Sequence, residues 1–555
     1  MQPTRARFSR LGAGLVTLLA ALPVQAQSGH WKAVAVELKW RVEQLRTDGP
    51  LQIGETLVAA SDLTLDVYER RGFLPLWTNR EALRSLLAAI DAVREDGLDP
   101  ELYNPGALAK ADARAWDAAS VAERDLLATD AFVRLSHDLR FGRVEPHGPA
   151  TPAESEWTFG GADGVAQLTG VVASGRVREA LAELRPRHFV YQGLVAALAE
   201  LRRIEWEGGW AALPAGPTLA RDSVDARVAL LRWRLRITGD LAEEAEEAEE
   251  WSPRFDAVVE AAARSFQHRH GLNEDGIVGS TTLAALNVPV QRRIEQVRVN
   301  LERARWVAHE LPDTLVVVNV AGARAYLLRG DSVDFETRAI VGTNYTKTPV
   351  FTAPMLYVDL NPTWTVPRGI VEEVLGEVRR DPGYLQRLGM RVLTGSGVEI
   401  DAAEIDFSRY TAADFPYVFR QDPGSANALG RIKLMFPNPY SVYLHDTPSR
   451  GLFAREDRLF SHGCIRVEDP VGLAEMVLGD PLRWNRATLA AAIDSGIRRT
   501  IRLARPVPVF VLYWTAATDP GGAVHFHRDV YGRDAPVLAG LDARHGPGTQ
   551  GGGVR

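Results

Sequence analysis

The one thiol in 555 residues, Cys464, lies in the run Ser461-His462-Gly463-Cys464-Ile465-Arg466. A second histidine, His445, stands 19 residues upstream, at the end of Tyr443-Leu444-His445-Asp446. A cysteine acts as a nucleophile through its thiolate, and a nearby imidazole is the usual base. His462 is two residues from Cys464, so a strand would place both on one side, and a turn at Gly463 would alter this. Gly463 lets backbone N–H groups approach a reacting carbonyl, as an oxyanion hole requires. The Arg466 guanidinium matches the shape of a carboxylate. Structural readings stand beside each of these. A lone cysteine often serves as a small buried hydrophobe, His445 as a satisfied strand-end histidine, and Arg466 as an ion-pair partner. Two histidines and a glycine around the thiol favour chemistry.

Composition narrows the alternatives. A single cysteine excludes an intrachain disulfide framework and a multi-cysteine metal cluster. Twelve histidines are present, but without a His-Glu-x-x-His or comparable ligand set, so no metal and no cofactor are expected. His525 and His527 alternate on an expected strand and read as surface residues. The formal charge of −7 is mild over 555 residues and gives no reason to expect nucleic acid as a partner.

The elements that must position the thiol follow from periodicity. Residues 1–26 read as a cleaved secretory leader: Arg5, Arg7 and Arg10, then apolar Leu11 to Val24, then a small-residue site at Val24-Gln25-Ala26. The exported chain would work in the periplasm. Residues 27–221 are mostly helical in pattern, with clear helices over Glu81–Val93 and Asp125–Leu139 and turn-rich runs at Arg71–Trp77 and Asp96–Pro100. Residues 222–289 form a compact unit with helices over Val224–Ile237 and Pro253–His270. A short last helix there is capped by Ser280 or Thr281. The Glu-rich run Glu243–Glu250 reads as a solvated helix or loop. A connecting helix over 290–311 leads to a β-rich region over 312–535.

There Thr314–Val320, Ala323–Arg329 and Val333–Val341 predict a meander. Tyr357–Asn361 and Ser441–His445 predict further strands, Pro470–Leu478 and Arg486–Ile497 helices, and Val507–Thr515 with Ala523–Val530 a terminal hairpin. Between them, about 369–431 reads as a helical insertion. Residues 536–555 read as a disordered tail. The fold class is therefore multidomain α+β: a helical scaffold, a three-helix domain, and a mostly-β domain with a helical capping insertion.

Two resemblances follow from these residues. Phe266-Gln267, His270-Gly271-Leu272, Asp275-Gly276, Val278-Gly279, Thr282 and Ala285-Leu286 are similar to the three-helix peptidoglycan-binding domain of cell-wall enzymes. His445, then Ser461-His462-Gly463-Cys464 and Arg466, resembles the signature of L,D-transpeptidases with a YkuD-type catalytic domain. Asn361–Pro367, Leu434–Asn438, Gly72–Trp77 and Gly142–Pro146 are similar to the large periplasmic members, which carry a scaffold domain and a capping insertion.

The resemblance implies that Cys464 is the nucleophile and His445 the general base, oriented by the backbone carbonyl of Asp446. It places His462, Gly463 and the Cys464 N–H at the oxyanion hole, with Arg466 in support and Tyr443, Trp364 and Ser461 along the substrate groove. The implied partners are peptidoglycan stem peptides as donor and acceptor, together with the machinery of cell-wall synthesis and cell shape. The implied reaction is a ping-pong acyl transfer that makes 3→3 cross-links from a tetrapeptide donor. Water as acceptor would give an L,D-carboxypeptidase, a D-amino acid would give exchange, and a lipoprotein lysine would give anchoring. A non-catalytic wall-binding scaffold and a zinc peptidase are the readings from other classes.

Overall fold

The computed structural model describes residues 29–59, 61–114, 117–146, 164–241 and 252–543. The expected leader, the Glu243–Glu250 run and the glycine-rich end of the tail lie outside the described residues. The chain divides into two compact units.

The first unit gathers residues from 29–91, 100–136 and 164–182 and is helical, as the periodicity predicts. One carboxylate organises its centre. Asp125, fully buried, accepts hydrogen bonds from the Leu76 and Trp77 N–H groups at 2.9 and 2.7 Å and from the Tyr68 hydroxyl at 2.7 Å. The Arg71–Trp77 turn is thereby fixed to the long helix Ala118–Phe141. Buried donors need such partners because an unsatisfied one costs about 1–3 kcal/mol.

The second unit contains the helix Phe189–Trp206 and three helices, Arg227–Ile237, Ala257–Arg269 and Ser280–Leu286, around Leu231, Leu235, Phe255 and Phe266. Gln267 locks this small domain. Its amide donates to Asp275 Oδ1 and the Ile277 carbonyl, and its oxygen accepts the Gly276 N–H at 2.8 Å. Gly276 has φ 73°, so a glycine is required at that turn. The last helix differs from expectation at its start. Gly279 is the N-cap and Ser280 already lies inside the helix, so neither Ser280 nor Thr281 caps it.

The connecting helix Val290–Val307 is a spine. Val297, Leu301 and Ala304 pack against the helix Phe189–Trp206, as part of a core shared with Leu315 and Leu512 of the large sheet. Its polar residues are also buried. Asn300 exchanges hydrogen bonds with the Thr515 N–H and hydroxyl. Arg305, fully buried, donates to Glu302 Oε2 at 2.7 Å and to the Asp96 carbonyl.

Nine strands follow in the spatial order Leu459–Ser461, Ser332–Gly342, Ile465–Val467, Leu444–His445, Ile432–Met435, Phe351–Leu360, Arg499–Leu512, Thr314–Asn319, Arg324–Arg329. Because Arg324–Arg329 also pairs with Ser332–Gly342, eight of these strands close into a ring. The expected meander is its first three strands. One face of the sheet buries Val358, Leu360, Ile432, Leu434, Leu444, Ile465 and Val467, together with the helices Pro470–Leu478 and Arg486–Asp494.

Four expectations need correction. The run Val507–Leu512 pairs with Thr314–Asn319 and Phe351–Leu360, and the terminal hairpin is instead Ala516–Thr518 with Val524–Phe526. The insertion carries its own antiparallel sheet, Trp364–Thr365, Val418–Gln421, Met390–Leu393 and Glu399–Ile400, beside the helix Val371–Arg380. It packs a separate core around Leu375, Val392, Phe415 and Phe419. His527 is buried rather than on the surface, and His525 is largely covered. The expected tail opens as a helix, Asp534–Asp542, because Val537 and Leu541 are buried and Asp534 accepts from Arg303 Nη1 at 2.6 Å.

Replacing Arg305 by Met should lower stability by about 3–5 kcal/mol, since Glu302 is left charged and buried without its partner. A thermal or denaturant transition checks this, and adding Glu302→Gln should recover part of the loss.

Candidate active site

The two-residue period of three neighbouring strands sorts the site. Leu434, Leu444 and Ile465 point into the core. Lys433, His445 and Arg466 are the paired partners on the opposite face, because Lys433 pairs with His445 and His445 with Arg466. Tyr443 and Cys464 each lie two residues before a member of this row, on the same face. The Ile465 N–H donates to the Tyr443 carbonyl at 3.1 Å, which sets Cys464 beside Tyr443. The structure thus collects Cys464, His445, Tyr443 and Arg466.

His445 is buried, and its Nδ1–H donates to the Asp446 carbonyl at 2.5 Å, leaving the lone pair on Nε2. The Asp446 carboxylate braces this segment by accepting from the Arg431 N–H and Arg450 Nη1, each at 2.9 Å. Burial pushes His445 down to about 3, and the Arg466 and Lys433 charges add to that shift, against the carbonyls of Asp446 and Leu429. It is therefore neutral, and a proton acceptor, at neutral pH.

Cys464 is half-buried. Burial raises its thiol, while the Tyr443 N–H and hydroxyl, Lys433 and Arg466 pull it down. Burial and the Cys464 charge push the Tyr443 hydroxyl up, and the Trp364 side chain works against them. Trp364 opens the insertion's sheet, opposite Gln421. The nearest acceptor to Sγ is the Ser441 carbonyl at 3.7 Å. Ser441 has φ 55°, a left-handed conformation costly for a serine. Asn438 holds that turn by accepting from the Tyr440 and Val442 N–H groups and donating to the Val442 carbonyl.

Three residues expected at the site make contacts of their own. Ser461 is buried; its hydroxyl donates to the Cys464 carbonyl at 2.5 Å and accepts the Gly463 N–H at 3.1 Å, so it shapes the turn. The Gly463 N–H thus has an internal partner, and the turn needs glycine, with φ 112°. The Gly463 carbonyl accepts from Thr348 Oγ1 at 3.0 Å. The His462 ring turns outward to Glu373 Oε1 of the insertion at 2.8 Å.

Lys433, Ser441 and Glu373 escaped the sequence reading. Lys433 alone left a trace, as a charge between Ile432 and Leu434 in an apolar strand.

Comparison with known proteins places these features in a family. Residues 313–509 match the model of the L,D-transpeptidase catalytic domain, residues 62–198 that of the scaffold domain, and residues 225–286 that described as "Putative peptidoglycan binding domain". Along the chain the matches thus run from a scaffold domain through a peptidoglycan-binding domain to an L,D-transpeptidase catalytic domain. A relative from Haemophilus influenzae named "Putative L,D-transpeptidase" is 33% identical over 246 residues, covering 44% of this chain and 49% of that protein. The chain thus spans about half the length of the curated relative it matches. Two solved L,D-transpeptidase structures, from Stackebrandtia nassauensis and Xylanimonas cellulosilytica, are each 15% identical and cover 54% of this chain. They are covered over 97% and 99% of their own length, with TM-scores of 0.24 and 0.17.

Two outcomes follow. The Tyr443 hydroxyl lowers the Cys464 thiol, so with Tyr443→Phe the pH midpoint of Cys464 alkylation by iodoacetamide should rise. His445 binds its proton near 3 when folded and near 6.5 when exposed. Between those values the unfolded chain holds more protons, so this contribution to stability is lost as pH falls from 6.5 toward 3. His445→Gln should flatten the thermal midpoint against pH in that window.

Proposed function

We propose that the protein is an extracytoplasmic peptidoglycan L,D-transpeptidase that forms 3→3 cross-links through a Cys464 thioester. The observation that carries this reading is a half-buried thiol on the same sheet face as an imidazole kept neutral, with its Nδ1 proton fixed on a carbonyl.

The Cys464 proton passes to His445 Nε2 as Sγ attacks the carbonyl carbon of the third stem residue. The bond to the terminal D-amino acid breaks, and His445 returns the proton to the departing amine. A side-chain amine of a second stem then attacks the thioester. It loses a proton to His445, and the thiol is regenerated. The developing oxyanion is held at the Gly463–Cys464 turn, with the Tyr443 hydroxyl beside it. Trp364 and the insertion wall the groove against water, which competes with the acceptor amine. On this reading residues 27–221 are the scaffold, 222–289 bind the wall polymer, and 312–535 carry the reaction.

The test is to incubate the full chain with tetrapeptide-bearing disaccharide and read the products by mass. A dimer that has lost one terminal D-alanine, and is missing with Cys464→Ala, is the expected outcome. A dimer that persists with Cys464→Ala would sink the cysteine mechanism. Tripeptide monomer with no dimer would make the protein a carboxypeptidase.

A further inference from the structure

Among the described residues, the face that carries Cys464 holds two cations, Lys433 and Arg466, that make no ion pair, although the Asp359 charge acts on Lys433. Lys433, His445 and Arg466 form one cross-strand row, continued on the far side by Asp359 and Thr500. Asp359 is the acid nearest Lys433 in the row, and it is already engaged, accepting from Thr500 Oγ1 at 2.5 Å and facing Arg498 Nη2 at 3.9 Å. Among the described residues no carboxylate lies within ion-pair distance of Lys433 or Arg466. Lys433 Nζ rests instead over the Tyr443 ring, 3.9 Å from its centroid. Arg466 Nε is buried with no hydrogen-bond partner.

Neighbouring strands are about 4.8 Å apart, so these two long side chains flank the imidazole from either side, and both charges act on His445 and on Cys464. Two desolvated like charges beside a base that must itself become cationic oppose proton transfer. An anion placed between them removes that opposition. A carboxylate suits the pair, since Arg466 can meet it with its planar fork and Lys433 as a point charge.

We propose that Lys433 and Arg466 form a carboxylate subsite beside Cys464, occupied by a carboxylate of the acyl donor, whose arrival makes His445 an effective base. The donor part of this statement rests on the transpeptidase reading. The chemistry allows two sources, the α-carboxylate of the departing C-terminal residue and the side-chain carboxylate of the third residue.

Cys464 is the single thiol, so alkylation of the full chain reports on it alone. Iodoacetate carries its own carboxylate and iodoacetamide does not. Their rate ratio should exceed that of free cysteine by about tenfold, the effect of one charge-assisted hydrogen bond. Lys433→Met and Arg466→Met should each return the ratio toward the free value, and Lys433→Arg should keep it. A wild-type ratio equal to that of free cysteine, or one unmoved by both Met variants, overturns the subsite. Should Lys433→Met fail to fold, Lys433→Gln takes its place.

In turnover, donors amidated at the C-terminus or at the third-residue side chain are compared with the free acid. A loss of about tenfold in kcat/KM for one of them identifies the carboxylate bound. Equal use of both amides and the acid refutes the donor assignment. Should no donor turn over while the iodoacetate preference holds, the transpeptidase reading fails and the subsite stands.

Discussion

Side-chain alternation along three short strands governs the site. Each strand offers its odd residues to one face and its even residues to the other, so Leu434, Leu444 and Ile465 can fill the core only if Lys433, His445 and the residues beside Ile465 face away from it. A slip of one residue in any of the three would drive Lys433, His445 or Arg466 into a core of valines and leucines. The register that secures the hydrophobic interior is therefore the register that assembles the chemistry. Packing and reactivity are enforced together.

Desolvation sets the electrostatic character of what is assembled. His445 is buried and stays neutral, and the thiol is held in its protonated form by the same loss of water. Hydrogen bonds from Tyr443 and the charges of Lys433 and Arg466 work against that second effect. The resting pair is an uncharged thiol facing an uncharged base, and the balance is set by groups on adjacent strands. Ser461, Thr348 and Asn438 touch neither reacting atom. They spend their polar atoms fixing the Gly463 and Ser441 turns that aim the sulfur.

Much of this was legible in the sequence, for definite reasons. The helices of the first unit and the meander carry clean periods, and the glycines at Gly276 and Gly463 mark turns that only glycine enters easily. The thiol and both histidines advertise their chemistry by type. What was hidden depended on residues far apart in the chain. Glu373 meets His462 across 89 positions, and Lys433 joins the site only through pairing with His445. The insertion's strands are two to four residues long, too short for an alternating pattern to emerge. His527 read as exposed because alternation on a hairpin cannot show that Gly271 and Gly322 close over it. Residues 536–542 read as tail because the helix they belong to is anchored by Asp534 on Arg303, more than two hundred residues away.

Trp364 belongs to two structures at once. It pairs with Gln421 as the first strand of the insertion, and its side chain lowers the Tyr443 hydroxyl, which itself lowers the Cys464 thiol. A change in the insertion's length would therefore be felt at the thiol, through Trp364 and the Tyr443 hydroxyl, without altering any residue of the large sheet.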